Sequence, residues 1–364
     1  MTPKPASRVV ALEEAFLHPR VWQLFPGQLQ QRYEPVRARL SDVGAERIRV
    51  MDAAGIDLQV LSHVQPGIQI VADSDADLAI TVCREVNNWL ADKIAAHPQR
   101  FAGFAMLPTQ SPAHAAEELA RTVTEHGFKG ALINGHTNGR YLDDPCFEVM
   151  LAGAESLGVP IYIHPTDPPR AVSDVYFAPF EPAVVPAWGW PVETGSHLLR
   201  LICAGVFDRH PNLKVIVGHM GELLPYCYTR LNTGLTMAGW LLDEGPERAM
   251  RNTFAHYLRK NVYITSSGVF DVPVFACARA MLGLDNLMFS VDYPFQDNFA
   301  AMEFLDHCGL SAEDKERFAH GTAEKILALD YRPNTVATGG DAWYRLRTRV
   351  QSKIGRALIS ALVR

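Results

Sequence analysis

The chain has 364 residues, 48% apolar and 20% charged, with a net charge of −6. Mild acidity gives no electrostatic footprint for nucleic acid. No apolar run reaches the ~18 residues that span a bilayer. The length suits one barrel-sized domain.

The N-terminus, MTPKPASR, leads straight into a strand with no apolar signal region. The first run, VVALEEAF (9–16), carries two adjacent carboxylates, Glu13 and Glu14. Strand neighbours face opposite sides, so one of the two points inward and needs a partner there. LQVLSHV (58–64) is the second candidate strand. A helix is expected over 75–97, then the strand FAGFAML (101–107), then a helix over 113–126 stopped by Gly127. GALING (130–135), a helix over 147–157 and PIYIHP (160–165) follow. Residues 166–192, ending in VVPAWGWP, read as a long connection of the kind that forms lids or oligomer contacts. A helix over 193–207 precedes KVIVGHMG (214–221), NVYITSSG (261–268) and LMFSVDYP (287–294).

These runs are rich in Val and Ile and mostly lack strict alternation, as expected of parallel strands buried on both faces. Eight β/α units predict a (β/α)8 TIM barrel over residues 1–330. No Gly-x-Gly-x-x-Gly follows the first strand, which disfavours a dinucleotide-binding open sheet. In the tail, 331–364, Leu346, Val350, Ile354, Ala357 and Ala361 recur at about helical spacing. That predicts a C-terminal helical extension docked on the barrel or on a neighbouring subunit. The six cysteines (Cys83, Cys146, Cys203, Cys227, Cys277 and Cys308) form no Cys-x-x-Cys. Free thiols in a reducing cytoplasm are expected.

Chemistry in such a barrel sits at the C-terminal ends of the strands. Glu13 stands at the end of the first, Asn134 of the fourth, His164 of the fifth, His219 of the sixth and Asp292 of the eighth. Glu13, His164 and Asp292 can converge on the barrel axis. Two carboxylates and an imidazole suit one divalent ion: zinc, manganese or magnesium. Glu13 then finds its partner in a metal, and Glu14 faces the helical layer or a neighbouring loop.

ALEEAF, INGHTNGRYLDDP (133–145), IYIHP (161–165), HLLRLICAGVFDRHPNLKVIVGHMGELLPY (197–226) and FSVDYPF (289–295) resemble the amidohydrolase-superfamily decarboxylases related to aminocarboxymuconate-semialdehyde decarboxylase. Within them, the chain is similar to the group acting on hydroxybenzoates: 5-carboxyvanillate, γ-resorcylate and 2,3-dihydroxybenzoate decarboxylases. The resemblance covers residues 8–330. It implies Glu13, His164 and Asp292 as metal ligands, His219 beside the metal site, and Glu222 orienting that histidine. It implies Arg230 and Arg47 as substrate-binding arginines and Asn134 as a pocket residue. Ala15 stands where many superfamily members carry a further histidine. Its presence weakens the argument for zinc in particular, and no strand-end segment supplies a lysine to bridge two metals.

The chemistry implied is non-oxidative decarboxylation of a small aromatic acid, with Asp292 protonating the ring carbon that carries the carboxylate. Hydrolysis of a lactone or amide on the same barrel, with Asp292 as base, is the alternative. No nucleic-acid or membrane partner is expected. A homodimer or dimer of dimers is expected to cover the apolar Trp188/Trp190 segment.

Overall fold

A computed structural model describes residues 7–241 and 250–330, with Val350. Eight strands appear, one in each expected run: β1 Val10–Phe16, β2 Leu58–His63, β3 Phe101–Gly103, β4 Ala131–Asn134, β5 Ile161–His164, β6 Val215–Val217, β7 Val262–Thr265 and β8 Leu287–Met288. Every pairing is parallel, in the orders β1-β2-β3 and β4-β5-β6-β7-β8.

Two seams join these sheets into a ring. At the first, the Ala105 N–H donates to the Gly130 carbonyl (2.8 Å) and the Leu132 N–H to the Ala105 carbonyl (3.1 Å). At the second, the Ala15 N–H donates to the Tyr293 carbonyl at 2.7 Å. There the Ser290 hydroxyl also donates to the Leu12 carbonyl at 2.5 Å. The result is a (β/α)8 barrel, the architecture that eight buried β/α units predict.

Alternate strand residues divide the core. Val10, Leu12, Val60, Phe104, Tyr162, Ile216 and Met288 fill the barrel interior, joined by Ile326 and Leu327 of the helix Thr322–Leu327. Their neighbours, among them Ala11, Leu61, Ile133, Ile163 and Val217, pack on the outer helices. Both faces are therefore buried, which is why the runs read as continuously apolar. The helix Pro112–His126 ends on Gly127, left-handed at φ 70°, where a side chain would strain the backbone.

Residues 166–192 form the long connection expected after β5. The segment is largely helical: Arg170–Tyr176, Glu181–Val184 and a wide turn at Val185–Gly189 running directly into the helix Trp190–Cys203. Pro182 sits in the first turn of this run, and Pro186 and Pro191 lie inside it, at and just after the wide turn. A first turn tolerates proline because the missing N–H would have no helical partner there. The other two fall where the helix widens, a usual place for a proline-linked irregularity, so a proline-rich stretch that reads as loop is helical. The helix expected over 193–207 stops at Cys203, and the left-handed Gly205 (φ 68°) separates it from Val206–Arg209. The helical extension expected in 331–364 lies outside the described residues, apart from Val350.

Two buried histidines make the fold sensitive to acid. The Nδ1 of His63 donates to the Val64 carbonyl (2.9 Å) and its Nε2 accepts from the His18 N–H (3.2 Å), which fixes a neutral ring. Burial pushes its pKa down to about 4, and that of His197 to about 3, from an ordinary 6.5. Below pH 6.5 the unfolded chain takes up protons that the folded chain refuses. Stability is therefore complete above that value and falls as pH drops toward 4. The His63 contribution is about 3 kcal/mol. Buried carboxyls with raised pKa, Glu14 and Asp292 among them, act in the opposite sense, so the His63 share is read by difference. Between pH 7 and pH 4.5 the denaturation midpoint of His63→Gln should lose less, or gain more, than that of wild type. The same pH dependence in His63→Gln and wild type would contradict the assignment.

Candidate metal and active site

Strict alternation along β1 would send Glu14, not Glu13, into the barrel, because Val10 and Leu12 already face inward. A register irregularity between Ala11 and Glu14 changes this, with Glu13 left-handed at φ 54°. A bulge of this kind re-aims one side chain. Glu13 turns to the site, and Glu14 turns to the β8 end. There the Glu14 carboxylate accepts from the Val291 N–H (3.0 Å), the Tyr293 N–H (3.2 Å) and the Gln59 amide (3.1 Å). Glu14 thus helps sew the second seam of the barrel. Its full burial raises its pKa to about 8, although the two backbone N–H groups and Arg47 favour the ionised form.

Glu13, His164 and Asp292 offer ligand atoms that all lie within 4.8 Å of one another. His164 Nε2 is 3.3 Å from Glu13 Oε1. Its Nδ1 donates to the Pro165 carbonyl at 2.8 Å, which leaves the Nε2 lone pair facing the carboxylates. Burial lowers the His164 pKa to about 4, so the ring is neutral, as a metal ligand must be. Burial raises Asp292 to about 6, against the pull of its His219 hydrogen bond.

Glu13 Oε1 is buried without a hydrogen-bond partner, while Glu13 Oε2 accepts from the Tyr162 hydroxyl, with Thr265 Oγ1 3.4 Å away. An orphaned, fully buried carboxylate oxygen among neutral nitrogen and carboxylate donors fits a divalent cation. The donor set is oxygen-rich and lacks thiolate, which suits manganese, magnesium or zinc.

His219 stands at the rim of this triad, its Nε2 3.6 Å from Glu13 Oε1 and 3.8 Å from Asp292 Oδ2. On the other side its Nδ1 meets Glu222 Oε1 at 2.8 Å. Burial opposes its protonation, but Glu13, Glu222 and Asp292 outweigh burial and raise its pKa well above the ordinary value. The backbone beneath is strained: His219, Met220, Gly221, Glu222 and Leu223 all have φ between 44° and 80°. Left-handed side-chain-bearing residues cost on the order of 1 kcal/mol or more each and gather where function demands the geometry. Glu13 and Asp292 (φ 75°) share this conformation.

Gly218, just before His219, answers a different need. A Cβ there would lie 2.4 Å from Glu13 Oε2 and 2.8 Å from Oε1. Its φ of −75° is open to any residue. It is the missing side chain that makes room for the Glu13 carboxylate.

The remaining candidates are more dispersed. Asn134 is buried at the end of β4, in register with His164, and its Oδ1 has no partner. Arg47 is fully buried, with the Ala15 carbonyl accepting from its Nη2 at 2.6 Å and its guanidinium 5.0 Å from the Tyr293 ring. Nε and Nη1 remain without partners. Arg230 is exposed on the helix Tyr228–Leu241 and makes no hydrogen bond or ion pair among the described residues. His18 caps the short helix Pro19–Trp22 through Nδ1 and does not join the triad. Sequence reasoning passed over Tyr162, Thr265 and Gly218. Tyr162 was within reach, since on β5 it shares a face with His164 two residues on.

A parallel barrel with two carboxylates, a neutral histidine and an orphaned carboxylate oxygen at its strand ends defines the class of amidohydrolase-type metal enzymes. The model of the Amidohydrolase family matches residues 18–329, and the chain belongs to this family. It is 36% identical over 337 residues to decarboxylase orsB of Emericella nidulans, covering 88% of this chain and 97% of that protein. It is 34% identical over 328 residues to the γ-resorcylate decarboxylase of Polaromonas sp., covering 88% of this chain and 98% of that protein. Among solved structures, it superposes with a TM-score of 0.81 on 5-carboxyvanillate decarboxylase of Novosphingobium aromaticivorans in complex with manganese and 4-hydroxy-3-methoxy-5-nitrobenzoic acid. That match is 34% identical and covers 88% of this chain and 96% of the other.

Proposed function

We propose that this chain catalyses the metal-dependent, non-oxidative release of CO2 from a small aromatic acid with a hydroxyl ortho to the carboxylate. The observation that supports this most is the Glu13, His164 and Asp292 triad, with the His219–Glu222 pair beside it at 2.8 Å. The similar 5-carboxyvanillate decarboxylase is seen with a ligand whose nitro group stands next to a phenol oxygen.

Glu13, His164 and Asp292 would hold the ion, whose Lewis acidity would act on a phenol oxygen and its neighbouring carboxylate. Asp292 carries the proton that reaches the ring carbon. A cation beside it favours its ionised form, so that proton arrives with the substrate phenol. Once the carbon is protonated, the bond to the carboxylate breaks and its electron pair restores the aromatic ring. His219, oriented by Glu222, holds the oxygen that gave up its proton. Arg230 and the unpartnered nitrogens of Arg47 are the candidates to receive a further anionic group, and the free Asn134 Oδ1 to receive a substrate hydroxyl.

The test is a panel of hydroxybenzoates assayed for CO2 with metal-reconstituted protein. An ortho hydroxyl should support turnover, and moving it to the para position should abolish turnover. Losing the two-oxygen chelate removes several kcal/mol of activation, and ~4 kcal/mol is about a thousandfold in rate. Equal rates for ortho and para isomers would remove the chelation argument.

Among the described residues no helix is long and apolar enough to cross a membrane, and all six cysteines are free. The free thiols support a cytoplasmic enzyme. Val175, Tyr176 and Phe180 are 78%, 76% and 68% exposed, and Trp188 is 52% exposed on the same stretch. Trp190 is instead pinned by its indole N–H to Asp167 (2.6 Å). An apolar patch of this kind is buried by a homodimer or a dimer of dimers. Sedimentation at micromolar concentration should show a species larger than the 40.3 kDa chain. A monomer alone would refute the oligomer.

A further inference from the structure

Beneath the triad, three hydroxyls and one carboxylate form a continuous line inside the barrel. Ser267 Oγ lies 2.7 Å from Thr265 Oγ1, and Thr265 Oγ1 lies 2.8 Å from the Tyr162 hydroxyl oxygen. The Tyr162 hydroxyl donates to Glu13 Oε2. Tyr162, Thr265 and Ser267 are all completely buried. Each hydroxyl has one proton to give. Since Glu13 can only accept when ionised, Tyr162 donates to it. The single Thr265 proton then goes to the Tyr162 oxygen at 2.8 Å, the nearer of its two acceptors, Glu13 Oε2 lying at 3.4 Å, and Ser267 donates to Thr265. Such a chain polarises in one direction and stiffens its last acceptor.

We propose that Tyr162 is the positioning residue that decides which oxygen of Glu13 addresses the divalent ion, and that Thr265 and Ser267 hold Tyr162 in place. Tyr162 occupies Oε2 from below. Oε1, the atom left without a partner, is the one beside His164 and His219. Gly218 leaves the carboxylate its room, and the hydroxyl line fixes its rotation within that room. Glu13 is thereby presented to the ion through one oxygen. The β5 ring that does this also packs on Phe104, at 5.8 Å between centroids, so its own position is set by the barrel core.

This inference rests on the metal site proposed above, and the experiment separates the two. Metal-stripped wild type, Glu13→Gln, Tyr162→Phe and Thr265→Val are titrated with Mn²⁺, and free Mn²⁺ is read by electron paramagnetic resonance. Loss of a hydrogen bond to a ligand costs about 10- to 100-fold in metal affinity. Tyr162→Phe should show a loss of that size, with kcat largely restored once Mn²⁺ is saturating. Thr265→Val, which keeps its shape, should show a smaller loss in the same direction. A barrel-filling role alone would leave Mn²⁺ affinity unchanged in both. Binding within about twofold of wild type in Thr265→Val, or in a folded Tyr162→Phe, overturns the proposal. If Glu13→Gln also binds as wild type does, the metal site itself is wrong and the proposal falls with it.

Discussion

Replacing Asp292 with asparagine should lower kcat on the order of 10³-fold, within the range that a positioned proton carrier contributes. The amide is nearly the same shape as the carboxyl and can still offer one oxygen, but it cannot carry a proton to carbon. Glu13 and His164 remain, 3.3 Å apart, so part of the metal affinity should survive. The measurement is kcat at saturating metal, alongside metal content per chain. A variant that keeps a tenth or more of wild-type kcat with metal bound would show that Asp292 is a ligand and nothing more. The pair of readings matters because Asp292 is assigned both roles. Loss of kcat in proportion to loss of metal would remove the proton role and leave the ligand role standing.

Gly218→Ala should be nearly as severe, from a residue that contacts no substrate. The added methyl would sit 2.4 Å from one Glu13 oxygen and 2.9 Å from its carboxyl carbon. No buried pair of atoms tolerates that, so either the Glu13 side chain rotates away or the strained turn after Gly218 moves. That turn carries His219 and Glu222, which limits how far it can yield. Overpacking costs about 1–3 kcal/mol in stability, and a displaced ligand costs metal affinity in addition. Mn²⁺ binding should weaken at least ~100-fold, about 2.7 kcal/mol. The fold should survive, since the helices and both barrel seams lie elsewhere. Unchanged Mn²⁺ affinity in Gly218→Ala would mean that the Glu13 carboxylate is not where the cation sits.

The fold was legible because parallel barrel strands are buried on both faces. Continuous runs such as PIYIHP and KVIVGHMG could be read without alternation, and each contains a strand. That Glu13, His164 and Asp292 come together was legible from residue type and position, because polar side chains at strand ends gather at one end of the barrel. What escaped reading depended on backbone detail. The bulge that aims Glu13 rather than Glu14 at the axis leaves no mark in ALEEAF, since alternation from Val10 and Leu12 points the other way. The helices in 166–192 were hidden by prolines, of which Pro182 occupies a first turn and Pro186 and Pro191 fall at the wide turn. Arg47 was expected as a substrate-binding arginine, and nothing in the sequence marked it as fully buried against Tyr293. Gly218 was one glycine among 26, and only its distance to the Glu13 carboxylate separates it from the others.

The central claim is that a proton replaces a carboxylate on an aromatic carbon next to a phenol oxygen. Turnover of an ortho-hydroxybenzoate in deuterium oxide, followed by nuclear magnetic resonance with CO2 measured in parallel, tests it most directly. The account predicts one deuterium at the carbon that lost the carboxylate and one CO2 for each phenol formed, both dependent on added divalent metal. Hydrolysis of lactones or amides by the same protein, with every ortho-hydroxybenzoate left intact, would contradict it.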